Sequence, residues 1–160
     1  ESVLDSLRKL RPQYKTRNGR TVYGGGGITP DKYIPYKSKL TKETQKLLRN
    51  PERPIFNFSS SYATQNDLGY DSFTKFKKDW KVNQAMYSQF LDYLDSDSVS
   101  FVADSLNADR TFIDNRIKSE IAGTIWGKDE SASIRLALDN QVSEALKYFN
   151  EANAFLGYRN

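Results

Sequence analysis

The sequence predicts a mainly α protein: a β-hairpin and extended segment over residues 1–38, then a helical region over 39–160. Three observations predict it. Ile113, Ile117, Ile121 and Ile125 recur every fourth residue, which makes one helix face apolar. Asn18-Gly19 stands between two short β-prone runs, and both residues tolerate the positive φ of a type I′ hairpin turn. After Pro35 the glycine-rich, strand-like character gives way to apolar residues at helical spacing.

Taken in order, Val3, Leu4, Leu7 and Leu10 have helical spacing over a short stretch. The hairpin follows, with arms Pro12–Arg17 and Arg20–Tyr23, and then Gly24 to Gly27 without a break. Residues 28–35, bounded by Pro30 and Pro35, read as extended chain. Thr41 is the expected N-cap of a helix through Leu47 and Leu48, with Glu43 and Thr44 in its first turn and the Pro51/Pro54 pair ending it. Ile55, Phe58, Tyr62 and Ala63 mark a second helix, and Asp67–Asp71 a loop. Phe73, Phe76 and Trp80 mark a third, capped by Asp71 or Ser72. Met86, Tyr87, Phe90, Leu91, Tyr93 and Leu94 form the stripe of a fourth. The isoleucine helix runs from Asp109 to Trp126 and stops at Gly127, a C′ glycine. Ile134, Leu138, Val142, Leu146 and Phe149 extend the apolar pattern through a last helical stretch.

The 160 residues suit one domain, or a small domain with part of another. Cys and His are both absent, which removes Cys and Cys/His metal sites, thiolate nucleophiles and Ser-His or Cys-His catalysis. No run of 18 apolar residues exists, so no membrane-spanning helix is expected. The start, Glu1-Ser2-Val3-Leu4-Asp5, lacks an initiator Met and the pattern of a signal peptide, and the expectation is a chain that begins within a longer product. Net charge is +4, but residues 1–54 carry +8 and the remainder −4. Such a split fits a nucleic-acid arm, or a basic edge facing an acidic partner domain. The second reading is preferred because the basic stretch is strand-like.

Each candidate for chemistry has a plainer reading. The four glycines lack the Lys-Ser/Thr of a P-loop and the spacing of a dinucleotide fingerprint, so a close crossing of backbone on backbone is expected. Ser72-x-x-Lys75 has a nucleophile–base spacing but no companion motifs, and reads as a helix cap followed by a solvated lysine. Asp92, Asp95 and Asp97 lack the glycine and distal Glu of a calcium loop. Asp114, Glu120, Asp139 and Glu144 read as ordinary exposed helix carboxylates. No catalytic, cofactor or metal residue is assigned. Tyr14, Lys15, Arg17, Arg20, Tyr23, Lys32, Tyr33, Tyr36, Lys37 and Lys39 interleave charge with aromatic faces, as single-stranded nucleic-acid grips do. Half-buried strands have the same spacing, and that reading leads.

The stretch from Gly19-Arg20-Thr21-Val22-Tyr23 through Gly24–Gly27 to Ile28-Thr29-Pro30-Asp31 resembles the end of the catalytic core in the tail-specific, or carboxyl-terminal processing, serine peptidases. Gly19-Arg20, Gly27-Ile28 and Pro30-Asp31 match that family's strand pair, and Val22-Tyr23 with four glycines looks like its Bacteroidetes-type branch. Ile55–Phe58 with Tyr62-Ala63, and Ile121-Ala122 with Trp126-Gly127, look like that branch's helical C-terminal extension. The resemblance implies a parent endopeptidase using a Ser nucleophile and Lys base, with a PDZ-like domain that recruits substrate tails as an added strand. It places that Ser/Lys pair upstream of the hairpin, hence outside this chain. Ser131-Ala132-Ser133 looks like the nucleophile motif but lies on the wrong side of the hairpin. Residues 1–38 are then the C-terminal edge of a peptidase core and 39–160 an appended, non-catalytic helical domain. Expected partners are the missing core and PDZ-like domain, protein or peptide substrates, and a second copy through open strand edges, not nucleic acid. The implied location is the periplasm or cell envelope. The alternative is a stand-alone helical interaction module; nucleic-acid binding ranks third.

Overall fold

The structure is a computed structural model and describes residues 10–25, 27, 30, 32–37 and 39–156. Val3, Leu4 and Leu7 of the expected first helix lie outside the described residues, as do Ile28, Thr29 and Asp31 of the extended segment. The mainly α class holds: the described residues carry helices throughout 42–156 and one two-stranded antiparallel sheet. They fall into two compact units, one from Glu1–Tyr36 with Asn140–Asn160, the other from Lys37–Asp139. This division differs from a boundary at 38/39, which kept 140–160 with the other helices.

In the first unit, β1 (Gln13–Lys15) pairs with β2 (Thr21–Tyr23), placing Tyr14 opposite Val22. The turn is not the two-residue type I′ form. Gly19 N–H donates to Thr16 O (2.9 Å), Thr16 N–H donates to Arg20 O (2.9 Å), and Gly19 alone takes positive φ, at 75°. That is a type I turn with a glycine bulge, so Asn18 stays out of the left-handed region. Gly24 N–H adds a bond to Pro12 O (2.8 Å). The close neighbour at Gly24 is a side chain rather than backbone: a Cβ there would lie 2.7 Å from the Tyr14 ring.

Helices α8 (Asn140–Ala145) and α9 (Phe149–Leu156) complete this unit, joined by a 3₁₀ turn at Leu146–Tyr148. Asn140 Nδ2 donates to Pro35 O (2.9 Å) and Gln141 Nε2 to Ile34 O (2.7 Å). Lys32 Nζ lies 3.5 Å from Glu151 Oε1 and 5.2 Å from the Tyr148 ring centre. These clamps explain why the last helices group with the N-terminal segment. The break before them is at Asp139, whose extended backbone (φ −82°, ψ 109°) ends the preceding 3₁₀ turn.

The second unit holds α1 (Lys42–Arg49), α2 (Pro54–Gln65), α3 (Phe73–Asp79), α4 (Gln84–Ser96), α5 (Ala103–Ala108), α6 (Arg110–Ile125) and α7 (Lys128–Arg135). Caps set the boundaries. The Thr41, Ser72 and Asn83 side chains each accept an N–H of the first turn of the helix they precede. Pro54 opens α2, where a missing N–H costs nothing. Met86, Tyr87, Phe90 and Leu94 of α4 and Ile113, Ile117 and Ile121 of α6 are buried in one core. Phe58 meets Phe90 at 5.2 Å between ring centres, and Phe76 meets Trp126 at 4.9 Å.

The isoleucine repeat loses its fourth member: Ile125 is 43% exposed. Four residues advance an α-helix by about 40° beyond a full turn, so a strict repeat drifts about 120° from first to fourth. The last apolar stretch also departs from expectation. Ile134 is buried, but Leu138, Leu146 and Phe149 are exposed, because the helix breaks at Asp139.

Candidate functional site

The residues singled out for chemistry take structural positions. Ser72 Oγ accepts the Lys75 backbone N–H (3.5 Å), the bond of a helix cap, while Lys75 stands exposed. Asp92, Asp95 and Asp97 are exposed around the end of α4, with Tyr93 Oη donating to Asp97 Oδ2 at 3.4 Å. Among the described residues no three carboxylates gather as metal ligands would. Asp114 pairs with Arg110 Nε (2.6 Å), Glu120 with Arg116 (2.8 Å) and Glu144 with Lys147 (2.6 Å), and Glu120 is buried rather than exposed because it faces the packed side of its helix. Ser131 is buried in α7 against Gly123, and Ser133 Oγ accepts from Lys77 Nζ (2.7 Å). Neither serine has a nucleophile's setting.

Three charged residues without an assigned role turn out to organise the second unit. Asp109 Oδ2 accepts from both the backbone N–H and the hydroxyl of Thr41, each at 2.8 Å. Burial works to raise its pKa, but hydrogen bonds from Thr44 and Thr41 outweigh it and hold the carboxyl below the usual range. Arg110 lies 3.6 Å over the buried Tyr87 ring and reaches Gln84 Oε1 (3.0 Å) and Asn83 O (3.4 Å), tying α6 to the start of α4. Lys118 Nζ donates to Lys77 O (2.7 Å) and Trp80 O (2.5 Å), a cation at the end of α3 where carbonyls lack helical partners. Burial, with Lys81 nearby, pushes its pKa down. The signal for all three was position, a charge at a helix start or inside an apolar stripe.

What remains as a candidate site is a surface. The first unit has no buried residue among those described. Both hairpin strands keep one open edge, β1 is exposed throughout and β2 is half-buried. Tyr14, Tyr33, Tyr36, Leu146 and Phe149 are all 59–69% exposed. The interleaved basic and aromatic residues are not one set: Lys37 and Lys39 belong to the other unit. Lys15 engages Thr21 Oγ1 (2.7 Å), and Lys32 engages Glu151 and Tyr148. The arrangement can pair strands and cover apolar side chains.

A family model described as a family of unknown function (DUF8443) matches residues 45–127, just over half of the chain and the greater part of the second unit. No curated protein and no solved structure matches the chain.

Proposed function

The chain belongs to the DUF8443 family, and from the Gly19–Asp31 resemblance we propose that it is the non-catalytic C-terminal portion of a carboxyl-terminal processing serine endopeptidase. The unit of Glu1–Tyr36 with Asn140–Asn160 docks on the peptidase core. The parent's Ser/Lys pair lies outside this chain, and the location is the periplasm or cell envelope. One observation carries the reading: a unit with ordered backbone pairing and side-chain clamps buries none of its described residues. Isolated two-stranded hairpins are marginal in water, and exposed strand edges are templates for pairing. A larger sheet would satisfy both, and the Gly19–Asp31 resemblance says which.

A second reading has its own support. The helical unit encloses a complete core between Leu47 and Ile134, as a stand-alone interaction module would. Cleavage of a disordered protein such as casein by this chain and by its full-length gene product tests both. Cleavage by the longer product alone supports the peptidase reading. No cleavage by either favours the module, and cleavage by this chain overturns both.

A further inference from the structure

We infer that the groove across α2, α6 and α7 binds an acidic segment of a protein chain. The groove has a volume of about 430 Å³, with Phe56 on one wall, Lys128, Ser131 and Arg135 on the other, and Glu120 and Gly123 of α6 between them. A smaller depression shares Phe56 and Glu120 with it and adds Arg53 and Arg116. Four cations therefore border a site whose one carboxylate, Glu120, is nearly buried and already held by Arg116 at 2.8 Å.

The cations are arranged rather than scattered. Arg135 Nη1 donates to the buried Ser131 Oγ (2.7 Å), which orients the guanidinium and leaves its other N–H donors for a ligand. The Arg53 guanidinium lies 4.2 Å over the Phe56 ring, on a backbone held in the left-handed region (φ 51°, ψ 52°). Arg53, Lys128 and Arg135 have no carboxylate partner among the described residues. Residues 37–139 contain fifteen Lys and Arg and fifteen Asp and Glu, so the unit is neutral and this groove is a local positive field.

Exposed basic side chains are ordinarily just solvated. Here they come from three elements and border two adjoining depressions, Lys128 and Arg135 the larger and Arg53 and Arg116 the smaller, with Phe56 and Glu120 shared by both. That combination suits a peptide carrying Asp or Glu carboxylates with an apolar side chain between them. It rests on the second unit alone and is independent of the peptidase reading.

The test is fluorescence anisotropy of the full chain with a fluorescein-labelled peptide rich in Asp and Glu with one central Phe. Controls are the Asn/Gln version of the peptide and a single-stranded oligonucleotide of equal charge. The expected result is saturable binding of the acidic peptide that weakens with added NaCl, with no binding of the Asn/Gln version. Lys128→Glu with Arg135→Glu, both at exposed positions, weakens binding by about tenfold or more with an unchanged circular dichroism melt. Unchanged affinity in that double variant would overturn the inference, as would tighter binding of the oligonucleotide. Should the pair fail to fold, Arg53→Glu alone applies the same test from the adjoining depression, which shares Phe56 and Glu120 with the groove.

Discussion

The two units are built on different terms. Lys37–Asp139 holds all fourteen buried hydrophobic residues among those described, from Leu47 to Ile134. The other holds none among its described residues and is joined by backbone pairing, amide-to-carbonyl clamps and exposed ion pairs. Apolar burial supplies most of the favourable free energy of folding, whereas exposed ion pairs contribute about 0–1 kcal/mol each. Backbone conformation follows the same division. The core unit keeps two non-glycine residues left-handed, Arg53 and Ser98, while every positive φ among the described residues of the other unit belongs to glycine. A packed core can hold a strained residue in place; a thin assembly cannot. The lesson is that one chain contains a part built on its own apolar burial and a part whose described residues bury none.

The largest effect should come from the core. Phe90→Ala removes a fully buried ring from α4 and should cost about 3–5 kcal/mol in urea unfolding, a large share of the total stability of an ordinary domain. Phe149→Ala, at 60% exposure in the other unit, should change it by less than about 0.5 kcal/mol. Equal losses would break the comparison, because they would mean Phe149 packs as a core residue.

Next come the left-handed positions. Gly127 joins α6 to α7 with φ 126° and ψ −180°, a conformation only glycine visits readily, so Gly127→Ala should cost about 1–3 kcal/mol. Gly19→Ala meets no steric neighbour and should affect the hairpin without moving the main unfolding transition. Ser98 offers the opposite sign. It is the left-handed residue closing α4, where Val99 N–H returns to Leu94 O (2.9 Å) and Ser98 N–H to Asp95 O (3.1 Å). Glycine is the preferred residue there, so Ser98→Gly should add about 1 kcal/mol, read as a higher urea midpoint. A drop would show that the Ser98 side chain makes an uncounted contact.

Much of the core unit was legible because its signals are local. Thr41 and Ser72 cap the helices expected of them, and Ile113, Ile117 and Ile121 face inward as their spacing requires. The six-residue α5 was not legible: a turn and a half is too short for a period, although Leu106 is fully buried. Neither was the grouping of Asn140 and Gln141 with Ile34 and Pro35, since bonds spanning over a hundred residues leave no mark on either stretch. The groove cations escaped notice for a like reason. Lys128 and Arg135 share α7 but lie far along the chain from Arg53 and Phe56, and the packing of α7 over Gly123 brings them beside the Phe56 wall. A Cβ on Gly123 would lie 3.2 Å from Ser131 Cβ.

The smallest predicted effect separates the electrostatics of the two units. Asp109 is held below the ordinary carboxylate value of 3.8 by its threonine hydrogen bonds. Its folded pKa lies under its unfolded one, so the stability it contributes is present above that value and is lost as pH falls through the folded pKa. Asp109→Ala should therefore lower stability at neutral pH and flatten the loss on acidification below about pH 3.8. Asp114 works the other way. Burial, against the opposing pull of Arg110, raises its pKa, so its contribution is present below the ordinary value and is lost as pH rises through the folded pKa. Asp114→Asn should consequently steepen the acid loss. Breaking the exposed Lys32–Glu151 pair with Glu151→Gln should leave the urea midpoint of the core transition where it was. Urea unfolding at a series of pH values reads all three variants. An acid limb identical in wild type and Asp109→Ala would show that the Thr41 contact does not discriminate between the two protonation states.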